Sequence, residues 1–322
     1  MPSYLVFFIF SCLFIFQYLY FKIANRFNII DRPNHRSSHT SITIRGGGVI
    51  FTFAALIFFF LHDFQYICFI LGLLLISVVS FLDDVMTLNN KIRLSAHLIA
   101  VLLLFYQWDL YGFEWYWLLI AGIFIIGTVN AYNFMDGING ITGSYSLLVI
   151  LTLYYINDQV IAFTSADFML SIALALLVFN FYNFRKKAKC FAGDVGSVSI
   201  AFIIVFLIGQ LILKAHNFSY ILLLLCYGLD TAFTVAFRII RKENVFEAHR
   251  RHFYQFLANE KKIPHLLVSI FYFLAQLTIN VLIIFVVKES ILLMALLFLF
   301  SSILIMFIRF LMEGKQRLLG SL

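Results

Sequence analysis

The chain has 322 residues, of which 63% are hydrophobic and only 12% charged, with a mean hydropathy of +0.97. Soluble domains carry about 45–50% apolar and about 25% charged residues, so composition excludes a water-soluble enzyme, a disordered chain and a collagen-like one. The net charge of +7 reads as topology signal and lipid-headgroup contact, with no nucleic acid as partner. The four cysteines, Cys12, Cys68, Cys190 and Cys226, are too dispersed for a metal site. The expected class is an all-α, polytopic integral membrane helix bundle forming one domain, residues 1–322.

A crossing helix needs roughly 20 apolar residues. Apolar stretches at 4–21, 47–61, 64–82, 94–106, 115–129, 141–156, 168–181, 198–213, 218–237, 266–287 and 291–310 predict eleven spans; several are short, so ten is the alternative. If the spans alternate, 21 of the 23 Lys and Arg fall on one side, with only Lys214 and Lys288 opposite. Short loops rich in Lys and Arg stay cytoplasmic. That face is therefore expected to be cytoplasmic, with the N-terminus outside and the C-terminus inside. The first stretch lacks a basic start and a small-residue cleavage site, so it reads as a helix and not a signal peptide.

The informative residues gather in the loops of that face, near 22–46, 83–93, 130–140, 182–197 and 238–265. The first holds Asp31-Arg32-Pro33-Asn34, then Arg45-Gly46-Gly47-Gly48 opening a span. Glycines before a helix let backbone N–H groups approach an anion, or simply make a flexible start. The second holds Asp83-Asp84 with Lys91 and Arg93 following. Adjacent carboxylates repel unless a cation or a shared proton relieves them, so the pair is either a metal-linked site or a solvated helix end.

Asn130, Asn133 and Asp136 recur every third residue ahead of Gly137 and Asn139. Such a polar stripe at a helix end suggests a ligand or metal face, whereas a glycine cap alone would explain only Gly137. After the basic run Arg185, Lys186, Lys187 and Lys189 comes Phe191-Ala192-Gly193-Asp194-Val195-Gly196-Ser197. Asp194 there either meets a metal-bound phosphate or caps the helix. The longest loop carries His249-Arg250-Arg251-His252, suited to phosphates and poor as a zinc site. Asp230, inside the ninth span, reads as a packing or ion-pair residue.

Carboxylates, amides, histidines and cations on one membrane face are equipment for phosphoryl transfer. A transporter or flippase would instead carry its acids near mid-span, and these sit at span ends. In the order of these motifs the chain resembles the polyprenyl-phosphate N-acetylhexosamine-1-phosphate transferases of glycosyltransferase family 4. The resemblance spans residues 31 to 255 and rests on Asp31-Arg32-Pro33-Asn34 with Arg45-Gly46-Gly47-Gly48, Leu82-Asp83-Asp84, Asn133-Phe134-Met135-Asp136-Gly137, the 191–197 stretch and the 249–252 stretch.

The resemblance implies transfer of N-acetylhexosamine-1-phosphate from a UDP-sugar to undecaprenyl phosphate with release of UMP. It implies Mg²⁺, with Mn²⁺ as its substitute, a homodimer, and a site on the cytoplasmic face of a bacterial inner membrane. Carried over residue by residue, Asp194 matches the principal metal ligand and Asn133 is a second. Asp83, Asp84 and Asp136 match catalytic acids. Gly137, Asn139, Asn183 and Phe191 fall where relatives hold the nucleotide; Arg45, Lys91, Arg93, His249, Arg250 and His252 are assigned to sugar and phosphate. Three departures stand out. Asn139 replaces the second Asp of the commoner Asp-Gly-x-Asp-Gly form. Asn183 lies one residue further from Asp194 than in many relatives. The 249–252 stretch lacks the triple-His run of the muramoyl-pentapeptide phosphate transferases, and so looks closer to enzymes that initiate O-antigen or capsule chains.

Overall fold

In the computed structural model the described residues are 1–31, 42–244, 247 and 249–320. In chain order they form α1 (Ser3–Arg26), β1 (Ile30–Asp31), β2 (Thr43–Ile44), α2 (Val49–Leu61), α3 (Ile67–Val85), α4 (Asn90–Gln107) and α5 (Trp115–Met135). There follow α6 (Ile141–Gln159), α7 (Ala166–Asn183), α8 (Gly193–Ala215), α9 (Leu225–Ile240), α10 (Phe253–Asn259), α11 (His265–Leu282), α12 (Ile291–Glu313) and α13 (Lys315–Leu319). A 3-10 stretch, Phe218–Leu224, leads into α9, and a π turn, Ile283–Val287, ends α11.

Each of the eleven apolar stretches read from the sequence coincides with a helix. Among the described residues eight helices are long and apolar enough to cross a membrane: α1, α3, α5, α7, α8, α9 with its 3-10 lead, α11 with its π turn, and α12. The other three stretches fall on α2, α4 and α6. With 13 residues, α2 rises about 20 Å, short of a hydrocarbon core about 30 Å thick. The protein is an all-α, multi-pass membrane protein.

The bundle is organised around α8, whose apolar residues are buried along most of its length, from Val195 to Leu211. Its first turns use small residues, so other backbones come close. Gly48 at the start of α2 packs on Gly196, where an added Cβ would lie 2.6 Å from the Gly48 Cα. Further along, Phe206 stacks on Phe69 of α3 with ring centroids 4.0 Å apart. Hydroxyls complete the contact: Thr52 of α2, Ser77 of α3 and Ser199 of α8 form a triangle with sides of 2.7, 2.9 and 3.1 Å. Bonds of this kind between spans contribute about 0.6 kcal/mol each on average, so they set register more than stability.

A second polar link joins α6 and α11. Tyr145 donates to Gln276 Oε1 (2.7 Å), Gln276 donates to Asn280 Oδ1 (2.7 Å), and Asn280 donates to Thr152 Oγ1 (2.9 Å). By contrast α12 leaves its apolar residues exposed or half-buried and shields the side chains of Arg309 and Glu313. The short β1–β2 pair brings the 42–48 segment beside 190–192: Ile44 bridges Cys190 in parallel, and the Gly47 and Gly48 N–H groups donate to the Phe191 and Ala192 carbonyls at 2.8 and 3.0 Å. Arg45 is thereby delivered to the start of α8.

Candidate active site

The helix α8 starts without a side-chain cap of its own. Its first amides are met instead by Asp84, at the end of α3: Oδ1 accepts from Asp194 N at 2.9 Å and Oδ2 from Val195 N at 3.0 Å. A carboxylate at a helix N-terminus satisfies orphan donors and suits the macrodipole. Gly193 makes the approach possible. It has φ +73°, and a Cβ there would lie 2.5 Å from Asp84 Oδ2. Arg45 closes the far side, its Nε 2.6 Å from Asp84 Oδ1, while Tyr20 fixes the Arg45 carbonyl by donating to it at 2.5 Å. Asp84 is fully buried, and these contacts are what offset its desolvation.

Asp194 is held more loosely. Arg45 Nη2 lies 3.3 Å from its Oδ1, and Arg93 Nη2 of α4 lies 3.7 Å from its Oδ2. Arg93 also pairs with Asp83 at 2.9 Å, and Asp83 accepts from Leu88 N at 2.7 Å. Asp83 in turn lies against Asp194. The half-buried Asp136, beside Thr142, faces Asp194, Asp84 and Arg45; burial first, then the two neighbouring carboxylates, pushes its carboxyl up to about 7. Asn133, one turn before Asp136, accepts from Ser197 at 3.1 Å. Four carboxylates from α3, the α5–α6 turn and α8 thus meet two guanidinium groups in one cluster.

The expected Mg²⁺ can be tested against this donor set. Among the described residues no three His, Cys, Asp or Glu side chains stand arranged as a ligand set. Asp84 is committed to backbone amides and Arg45. Asp194, Asp136 and the Asn133 amide oxygen remain, all hard oxygen donors of the kind Mg²⁺ takes. Asp136, reluctant to ionise alone, would ionise beside a cation. The chemistry fits, with Asp194, Asp136 and Asn133 as the residues that would hold the ion.

Around this cluster lie the residues expected at the nucleotide. Asn183 has both ends of its amide in use: Oδ1 accepts from Gly140 N and Nδ2 donates to Cys190 O, each at 2.8 Å. It ties the 137–140 turn to the 190–192 segment. Asn139 donates to the Arg185 carbonyl at 2.9 Å, and its buried Oδ1 has no partner among the described residues. Gly137 lies under the Tyr254 ring, which leaves no room there for a side chain. Phe191 is half-buried and pinned by Ile44 and Gly47. Lys91 stays exposed at the start of α4. Arg32, Pro33 and Asn34 lie outside the described residues.

The 249–252 stretch reaches the same place from the other side. His249 and His252 stack with centroids 5.1 Å apart, and Phe134, inside the Asn133–Asp136 motif, lies 6.2 and 6.1 Å from their rings. Burial, then His252 and Arg238, lowers His249 to about 4, so its imidazole is neutral at pH 7. Arg250, in the same stretch, is half-buried. Sequence reasoning missed Phe134 as a contact between the two loops, Tyr20 as the brace of Arg45, and Tyr254, whose hydroxyl donates to the Phe134 carbonyl at 2.8 Å. An aromatic inside a polar motif was the one available signal, at Phe134.

Residues 66–212 match the family described as Glycosyl transferase family 4; Asp83, Asp84, Asn133, Asp136, Asn183, Phe191 and Asp194 lie inside that stretch, and Arg45 and the 249–252 loop outside it. The chain is 26% identical over 256 residues to a Bacillus subtilis (strain 168) protein named probable undecaprenyl-phosphate N-acetylglucosaminyl 1-phosphate transferase, covering 72% of this chain and 70% of that one. It is 25% identical over 276 residues to the undecaprenyl-phosphate alpha-N-acetylglucosaminyl 1-phosphate transferase of Escherichia coli (strain K12), covering 78% and 74%. A phospho-N-acetylmuramoyl-pentapeptide-transferase of Thermotoga petrophila is 28% identical over 174 residues, 48% of this chain and 56% of that one. The motifs and the relatives point the same way: over residues 66–212 the chain is similar to glycosyl transferase family 4.

Proposed function

We propose that this protein transfers N-acetylhexosamine-1-phosphate, with N-acetylglucosamine as the leading sugar, from its UDP conjugate to undecaprenyl phosphate, releasing UMP. The observation that carries the reading is the meeting of Asp83, Asp136 and Asp194 with Arg45 and Arg93 at one end of the bundle. The names of the Bacillus and Escherichia relatives support the same substrates. Sorting of 21 of 23 Lys and Arg supports eleven crossings, with this end cytoplasmic in a bacterial inner membrane and the N-terminus outside. The product would start a surface polysaccharide such as O-antigen or capsule.

In this reading an oxygen of the lipid phosphate attacks the sugar-bearing phosphorus. The new P–O bond forms as the bond to the UMP phosphate breaks, and UMP departs with the electron pair. The sugar C1–O bond is untouched, so anomeric configuration is retained. Asp83, outside the buried cap that occupies Asp84, takes the proton of a protonated lipid phosphate. Arg45 and Arg93, held by carboxylates in the resting protein, turn to the phosphate oxygens. Asp194, Asp136 and Asn133 would hold Mg²⁺, which would supply neutralisation of the diphosphate and of the charge developing on UMP. His249, Arg250 and His252 receive the sugar phosphate, and the 137–140 turn with Phe191 frames the uracil.

The test incubates purified protein with undecaprenyl phosphate, Mg²⁺ and a panel of UDP-N-acetylhexosamines, with UDP-N-acetylmuramoyl-pentapeptide as a further arm, and follows UMP. Release with a UDP-hexosamine is expected. Silence with every sugar rejects the reading, and release only with the pentapeptide moves the protein to the other branch of the family.

A further inference from the structure

The helix α12 exposes apolar side chains along almost its whole length and buries one residue, Arg309, which is 1% exposed. A guanidinium buried at the end of a span needs partners that offset its desolvation. Its partners are Glu313, 2.6 Å from Nε, and Asp230 of α9, fully buried and 3.7 Å from Nη1. Arg238, the basic residue nearest to Asp230 in sequence, pairs with Glu243 instead.

Asp230 does for α10 what Asp84 does for α8. Its Oδ1 accepts from Phe253 N at 2.9 Å and its Oδ2 from Tyr254 N at 3.3 Å, the first two amides of α10. Tyr272 of α11 donates to Oδ2 at 2.5 Å and Thr234 to Oδ1 at 3.2 Å. His252 Nδ1 lies 3.5 Å from Oδ1. Arg309 grips the same turn one residue earlier, its Nη2 donating to the Arg251 carbonyl at 3.3 Å, while Nη1 donates to Thr234 Oγ1 at 3.0 Å and Nε pairs with Glu313 at 2.6 Å. The backbone on both sides of His252 is therefore fixed by one carboxylate and one guanidinium, neither of which reaches the carboxylate cluster.

We propose that Asp230 and Arg309 are positioning residues for the nucleotide-sugar: together they set the 249–254 turn so that His249 and His252 face Phe134 and the Asp136 loop. The inference rests on the function proposed above and assigns the last span a role in substrate recognition. The pair acts on the UDP-sugar and leaves the lipid phosphate to Asp83, Arg45 and Arg93.

The experiment compares wild type with Arg309→Lys, Arg309→Met and Asp230→Asn in two readouts. Lysine keeps a charge beside Asp230 but cannot also reach Arg251 O and Glu313 as a planar fork does. In amide hydrogen exchange, the 249–259 segment should exchange faster in all three variants while α3 and α8 stay protected. In kinetics, Arg309→Lys should raise KM for UDP-N-acetylglucosamine by about tenfold and change KM for undecaprenyl phosphate by less than about twofold. An equal rise in both KM values, or unchanged exchange of 249–259 in the Lys and Met variants, overturns the proposal. Were wild type to release no UMP at all, the proposed function would fall, and exchange alone would then decide whether the pair holds the turn. If Arg309→Met does not fold, Arg309→Lys carries both readouts.

Discussion

The close crossing of Gly48 and Gly196 offers the sharpest test of how the site is assembled. Gly196 is helical, so alanine there should favour α8 by up to about 1 kcal/mol on propensity alone. The packing opposes this. A Cβ at 196 would sit 2.6 Å from the Gly48 Cα and 2.8 Å from the Ala192 Cβ, where ordinary contact begins at 3.4 Å. Backbone cannot rotate away as a side chain can, so the start of α2 must shift by somewhat under about 1 Å, and overpacking of this kind costs about 1–3 kcal/mol. The same shift moves the 45–48 segment against Asp194. A misplacement of about 1 Å can cost about 10²-fold in rate. Gly196→Ala should therefore lower UMP release by about 10–10²-fold while unfolding at modestly lower temperature. Gly127→Ala is the control, since Gly127 has nothing within 4 Å of an added Cβ and should leave rate unchanged and stability slightly higher. Normal turnover in Gly196→Ala would refute the claim that this crossing sets the distance between Arg45 and Asp194.

Asp194→Asn and Asp83→Asn should each reduce UMP release by at least about 10²–10³-fold without loss of the folded state; a near-normal rate in either removes that residue from the mechanism. Asn183→Ala leaves Gly140 N and Cys190 O unpaired, at about 1–3 kcal/mol for each buried group, so thermal unfolding in detergent should fall by several degrees, and an unchanged midpoint would reject its tie between the two loops. The carboxyl of Asp136, pushed up to about 7, binds its proton more tightly folded than unfolded. Its contribution to stability is full below the ordinary carboxylate value near about 4 and is lost as pH climbs to about 7. In EDTA the decline of unfolding temperature across that window should be shallower in Asp136→Asn than in wild type, and identical slopes would contradict the shift.

The helices were readable because apolar runs of membrane length have few alternatives, and the acids were readable because they are rare and gather at helix ends. What adjacency in sequence concealed was the division of labour between Asp83 and Asp84. Both looked equally available, yet one faces the cluster and the other is spent on amides 110 and 111 residues further along the chain. Arg309 counts as one of the cytoplasmic charges in the sequence, and only the packing shows it folded inward against Asp230. Asn183 looked like a nucleotide contact, because nothing local indicates that its two partners are backbone groups of separate loops. Long-range partners of polar side chains are set by topology, which periodicity does not encode.

Borrowing a helix cap from a distant span has a consequence for biogenesis. When α3 leaves the ribosome, Asp84 has only the already synthesised Arg45 to pair with, and the amides that will receive it belong to residues made 110 and 111 positions later. Until then water, lipid headgroups or an insertion factor must shelter it, and a nascent chain arrested before α8 would present an unsated acid to membrane quality control.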